Sequence, residues 1–301
     1  NPIKSVHQAE IYYHDIKKNI EDLNFEPLMT LFFNDELNSD EIKKVSDSNI
    51  VHGIKLYPSG VTTNSKDGVD VIENCFKIFE LMQKYDVPLL VHAESNDKNV
   101  DIFDREKVFI DRNLSQIHQE FPNLRIVVEH ISSKEAAEFV IDSGDKVFAT
   151  ITPQHLLFDR NDLLSHGIKP HHYCLPILKR SEDRVAIVKA ATSGSPKFFL
   201  GTDSAPHFRH EKESSCGCAG IYSALSAMEL YASIFETENA LDKLENFSSK
   251  YGADFYELPP NNLKIKLTKK DFRIPARIQV GNEEIIPLFA DETLSWQLSE
   301  I

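Results

Sequence analysis

Four residues in this chain set reactive side chains into apolar, strand-like surroundings: Lys55, His92, His130 and Asp203. Lys55 lies within His52-Gly53-Ile54-Lys55-Leu56-Tyr57-Pro58, where an isolated buried ammonium is costly. One reading is a lysine whose stem snorkels from a strand end to water. The other is an amine kept neutral so that its nitrogen can react. A neutral amine adds carbon dioxide and becomes a carbamate, an anion with two oxygens suited to bridging two metal ions. His92 (Val91-His92-Ala93-Glu94) and His130 (Glu129-His130-Ile131) each follow an apolar run. Singly, either is more often a hydrogen-bonded core histidine than a ligand. Asp203, in Gly201-Thr202-Asp203-Ser204, serves equally as a helix cap. As a set they are rich in oxygen and imidazole, which suits zinc-like divalent metals. Two such ions about 3.5–4 Å apart share a hydroxide and polarise a carbonyl. Cys216-Gly217-Cys218 invites a separate zinc reading. Structural zinc takes two separated ligand pairs, and Cys75 and Cys174 stand alone, so we read a glycine-containing loop.

These residues need elements to position them. Short apolar runs predict six strands: Pro27 to Phe33, Val51 to Tyr57, Pro88 to His92, Arg125 to Ile131, Val147 to Thr152 and Lys197 to Thr202. Runs this apolar suit strands buried on both faces, as in parallel sheets. Helical spacing fills the gaps, in Ile72, Cys75, Phe76, Phe79 and Met82, in Ile110, Leu114, Ile117 and Phe121, and in Val185, Val188 and Ala191. Ser132 followed by Glu135 marks a capping box, and Gly194 marks a stop. Strand-helix alternation implies an α/β fold. Without Gly-x-Gly-x-x-Gly, a dinucleotide-binding sheet lacks support. Polar residues at several strand ends favour a (β/α)8 TIM barrel, whose active site is built there. A barrel has eight strands, so the reading expects two βα units upstream of Asn1. Residues 1–301 read as one domain, with barrel strands and loops in 1–220 and a C-terminal extension of helices and short strands in 221–301. Within that extension, Gly220 to Glu238 predicts a helix, and Leu263 to Leu267 and Phe272 to Val280 predict strands. They would pack outside the barrel or cover its mouth.

A net charge of −14 repels nucleic acid and anionic membranes. No run approaches the roughly 18 apolar residues of a membrane span, and no signal-peptide pattern stands at Asn1. Four unevenly spaced cysteines do not form a disulfide framework, which places the chain in a reducing cytoplasm.

Several segments together resemble the bacterial class II dihydroorotases of the amidohydrolase superfamily. They are Lys55-Leu56-Tyr57-Pro58, Val91-His92-Ala93-Glu94, Glu129-His130-Ile131, Thr150-Ile151-Thr152-Pro153-Gln154-His155, Tyr173 to Arg180, Gly201 to His207 and Lys212 to Gly220. The resemblance runs in order from about residue 50 to 220. It implies a zinc-dependent enzyme of pyrimidine biosynthesis that reversibly cyclises N-carbamoyl-L-aspartate to dihydroorotate. It further implies a carboxylated Lys55 bridging two zinc ions, His92 and His130 on one zinc, and Asp203 on the other as catalytic base and acid. Leu175 and Ala219 would offer backbone groups to the pyrimidine ring, and His207 would help hold the substrate carboxylate. Thr62 and Thr63 would sit on a loop that closes over the ring, although an ordinary polar turn explains them as well. A homodimer is the family's expectation.

One departure is large. The family carries a His-x-His pair and an Arg on its first barrel strand, and an Asn after the second. This chain has no His-x-His, and the adjacent His171-His172 is no substitute. The match elsewhere places the missing elements upstream of Asn1, so this span would hold only part of the metal site. Two alternatives remain: a hydantoinase-like enzyme acting on a related cyclic amide, or a catalytically inactive barrel with a structural role.

Overall fold

Six short, largely buried runs form the parallel strands that the sequence predicts. They are β1 (Met29–Phe32), β2 (Val51–Leu56), β3 (Leu89–Val91), β4 (Ile126–Val128), β5 (Val147–Ile151) and β6 (Phe198–Leu200). The structure is a computed structural model that describes every residue except Asn1, Glu21, Asp22, Asp35, Glu36, Thr63, Asn64 and Ile301, and, in the last strand, the Glu300 side chain. The strands lie in chain order from β1 to β6, and the resolved pairings are parallel. Parallel neighbours require crossovers, which helices supply. This is the strand order and connectivity of a β/α barrel.

By internal contacts the chain divides into two compact units, Asn1–Glu129 with Asp142–Phe148, and His130–Ile141 with Ala149–Ile301. In the first, the helix Ser39–Ser46 starts at Asn38, whose side chain accepts from the amides of Asp40 and Glu41. Acids in its first turn and lysines in its last complement the helix dipole, and Ile42 and Val45 are its buried face. The stripe around Phe79 forms a 3-10 turn, Ile72–Cys75, followed by the helix Phe76–Lys84. Ile110, Leu114, Ile117 and Phe121 are buried as predicted. The helix Val6–Asn19 was not anticipated. It buries only Val6 and Ala9, too few to show as an apolar period.

The second unit holds the helices Ser181–Thr192 and Ala227–Thr237 and most of Lys134–Asp142. The capping expectation at Ser132 is corrected by one residue. The amide of Ala136 donates to Ser133 Oγ, whereas Ser132 Oγ receives the buried Lys179 ammonium at 2.5 Å. Val185 is exposed, so the buried face of that helix runs instead through Asp183, Ile187, Val188 and Ala191. Past residue 220, the first residues are extended and the helix begins at Ala227. The predicted strand Phe272 to Val280 is interrupted. Residues to Arg273 belong to β7 (Ile265–Arg273), and β8 (Ile278–Val280) pairs instead with β9 (Glu283–Ile285). β10 (Thr293–Glu300) pairs antiparallel with β7. Single bridges join Phe208 to Ile285 and Tyr222 to Pro287, so this extension lies against the loops that follow β6.

Candidate active site

In the first unit, three strand ends converge. Lys55 pairs with Leu90 across β2 and β3, and the His92 amide donates to the Leu56 carbonyl. The Glu129 amide donates to the Val91 carbonyl, which sets Glu129 just past the end of β4. Lys55 is buried and forms an ion pair with Glu129. A buried ammonium without such a carboxylate would leave an uncompensated charge. Lys55 Nζ also lies 4.9 Å from the centre of the Tyr57 ring. Burial and pairing replace the snorkelling geometry. His92 is buried, and its Nε2 bonds to Glu94 Oε2 at 2.8 Å. The amide of Thr62 donates to Ser65 Oγ, and its carbonyl accepts from the same hydroxyl, a self-closed polar turn. Thr63 lies outside the described residues.

In the second unit, His130 and Asp203 follow β4 and β6. Both have positive φ, 45° and 44°. Non-glycine residues enter that region at a cost of order 1–3 kcal/mol, and such strain gathers at functional sites. Thr150 fixes the His130 turn, because its Oγ1 accepts from the His130 amide at 2.8 Å. Asp203 is exposed. Just before it, the Thr202 carbonyl receives Gln154 Nε2 and Ser223 Oγ. Just after it, Ser204 Oγ accepts from the amides of Ser223 and Ala224. The helix-cap alternative is removed, since the next helix, Arg209–Lys212, is preceded by Phe208.

The residues expected to meet a ring occupy two loops of the same unit. Leu175 and Ala219 are half-buried. Leu175 lies between Cys174 and Pro176, and the Pro176 carbonyl accepts from His155 Nε2 at 2.9 Å. That fixes the imidazole tautomer, leaving His155 Nδ1 to accept from Thr152 Oγ1 at 2.7 Å. His207 Nε2 donates to the Ala219 carbonyl at 3.0 Å. The amide of Gly220 donates to the Tyr173 carbonyl, which ties the two loops together. Gly220 has φ 152°, and a Cβ there would stand 2.6 Å from the Ala205 carbonyl oxygen, so only glycine fits. Cys216 is exposed, Cys218 is half-buried, and none of the four cysteines is in a disulfide, in keeping with a glycine-containing loop.

Three participants were given no role from the sequence: Glu94, Glu129 and Thr150. The first two stood next to the residues singled out, and a carboxylate one or two positions from a strand-end His is the signal that would have found them. For Thr150 only burial and contact reveal the role.

The residues present fit a divalent metal in chemistry. A buried imidazole bonded to a carboxylate is how proteins orient metal-binding histidines. Among the described residues, no group of three or more His, Cys, Asp or Glu side chains forms a metal cluster by itself. The sequence-derived set includes a lysine and is divided, with Lys55 and His92 in the first unit and His130 and Asp203 in the second.

The family model for the amidohydrolase family matches residues 2–265. A dihydroorotase of Picosynechococcus sp. is 54% identical over 301 residues, covering 100% of this chain and 87% of its own length. The chain belongs to the amidohydrolase family, among its dihydroorotases. It is therefore a hydrolase acting on a cyclic amide. The crystal structure of Saccharomyces cerevisiae dihydroorotase in complex with 5-fluoroorotic acid superimposes with TM-score 0.90 at 34% identity, covering 99% of this chain and 86% of that one. L-Hydantoinase from Arthrobacter aurescens gives 0.79 at 16% identity, covering 99% and 73%, which shows a shared fold alone. No helix among the described residues is long and apolar enough to cross a membrane.

Proposed function

We propose that this dihydroorotase interconverts dihydroorotate and N-carbamoyl-L-aspartate in pyrimidine biosynthesis, and that residues 1–301 belong to a single barrel domain. The supporting observation is 54% identity to a dihydroorotase along the whole chain, with Lys55, His92, His130 and Asp203 at strand ends. In this reading Lys55, carboxylated to a carbamate, together with His92, His130 and Asp203, would hold two zinc ions. When bound there, zinc supplies Lewis acidity at the reacting carbonyl and makes water acidic enough to ionise near neutral pH.

The chain's own residues do the rest. Glu94 orients His92. Leu175 and Ala219 present backbone groups to the ring, and His207 stands beside them to help hold the substrate carboxylate. Thr62 belongs, in this reading, to a loop that closes over the ring and excludes water. In the hydrolytic direction, water oxygen adds to the ring amide carbon and the carbon–nitrogen bond breaks. Asp203 accepts the water proton and delivers it to the departing nitrogen. Four cysteines outside any disulfide suit a cytoplasmic setting, and the family resemblance supports a homodimer.

The test is Asp203→Asn in the full-length protein. Proton transfer of this kind contributes about 10²–10⁴-fold, so turnover of dihydroorotate should fall by that factor while zinc content holds. Near-normal turnover would refute the role of Asp203. Preference of the unaltered enzyme for hydantoin over dihydroorotate would overturn the substrate.

A further inference from the structure

Lys212 is an ammonium with almost no access to water. The residue is 3% exposed, yet it forms no close ion pair among the described residues. Its Nζ donates instead to three carbonyls: Tyr173 at 2.8 Å, Cys218 at 2.7 Å and Gly220 at 2.8 Å. Those three oxygens account for all three donors of a lysine. The carbonyls come from two separate stretches of chain. Tyr173 lies two residues before Leu175. Cys218 and Gly220 flank Ala219 on either side. The Tyr173 ring also stands 5.7 Å from Nζ.

We propose that Lys212 is a positioning residue that clasps the Tyr173–Leu175 and Cys218–Gly220 stretches, and so sets the spacing of the two backbone groups that receive the substrate ring. The inference rests on the ring-binding role of Leu175 and Ala219 proposed above. The Cys218 carbonyl belongs to the peptide plane just before Ala219 and the Gly220 carbonyl to the plane one residue beyond it, so a single nitrogen pins the chain on both sides of that residue. The same nitrogen fixes the stretch that leads into Leu175. Loosening the clasp lets both backbone groups drift, and misplacement of about 1 Å is enough to cost a bound ligand its alignment. The residue does not touch the reacting atoms, so its loss should weaken binding of the ring far more than it slows bond making.

The test compares Lys212→Met with the unaltered full-length enzyme. Methionine fills similar space and removes the three donors. Binding of 5-fluoroorotate, measured by calorimetry, should weaken by about tenfold or more. KM for dihydroorotate should rise in parallel, with kcat changed less than about threefold. An unchanged Kd and KM in a folded Met variant would overturn the proposal, as would a fall in kcat without a change in Kd. Should Lys212→Met fail to fold, Lys212→Arg carries the test. Its charge is kept but its donors lie in a plane, so three carbonyls converging on one point are not all met and the same loss of affinity is expected. An unaltered Kd in that variant also overturns the clasp. Failure of the underlying reading shows differently: the unaltered enzyme would then neither bind 5-fluoroorotate nor turn over dihydroorotate.

Discussion

Burial pushes the Lys212 ammonium down to about 8 from its ordinary 10.5, and the nearby Cys174 and Cys218 thiols oppose the shift when ionised. A lowered lysine pKa means that folding disfavours the charged form. Between those two values the unfolded chain holds a proton that the folded chain has released. Stability therefore rises with pH across that window. At pH 7 both states are protonated and the cost is present in full, about 3 kcal/mol at roughly 1.4 kcal/mol per pKa unit. The unfolding free energy of the wild type relative to Lys212→Met should climb by about that amount between pH 7 and 10.5. Urea titrations of both proteins at each pH measure it, and a flat difference would deny that Lys212 is buried as a cation. A residue kept at such a cost fits a positioning role better than a stabilising one. No feature of Lys212-Glu213-Ser214-Ser215 announces this, because a lysine among polar residues reads as a solvated surface. Lys55 was legible for the opposite reason, since its neighbours are apolar and its charge was out of place.

Strands were the most legible elements, and their ends the least. β3 and β4 are buried at every position, so their apolar runs stand out from the polar helices between them. The ladders nonetheless stop short of the predicted ends. His92, His130 and Asp203 lie one to three residues past the last paired residue, and two of them turn into positive φ. Local sequence patterns carry no signal for that turn. The C-terminal strands were partly missed because β7 is mostly exposed and so lacks alternation. Gly201 shows how tightly one strand end is built. A Cβ there would stand 2.5 Å from the Thr150 Cβ, a distance that real side chains do not tolerate. Gly201→Ala should destabilise the protein by about 1–3 kcal/mol through overpacking. It should also lower kcat, because Asp203 is two residues away. Thermal unfolding and steady-state rates check both, and an alanine variant with wild-type Tm would show that the strands part more freely than the packing implies.

At the scale of the whole chain, charge bears on function. With a net charge of −14, the molecule repels anions at long range, and N-carbamoyl-L-aspartate carries two negative charges near pH 7. Salt shortens the reach of that repulsion, to about 10 Å at 0.1 M. Raising ionic strength from about 10 to 150 mM should therefore increase kcat/KM for N-carbamoyl-L-aspartate. A decrease would show that a local positive field outweighs the net charge. Composition made this property legible from the start, whereas the division of the chain into two compact units left no mark in it. The loop that carries Ala219 has a practical consequence as well. Cys75 and Cys174 are buried and Cys218 is half-buried, while Cys216 is exposed. A thiol-reactive fluorophore would thus attach preferentially at Cys216, giving a native optical reporter three residues from Ala219 without altering a single codon.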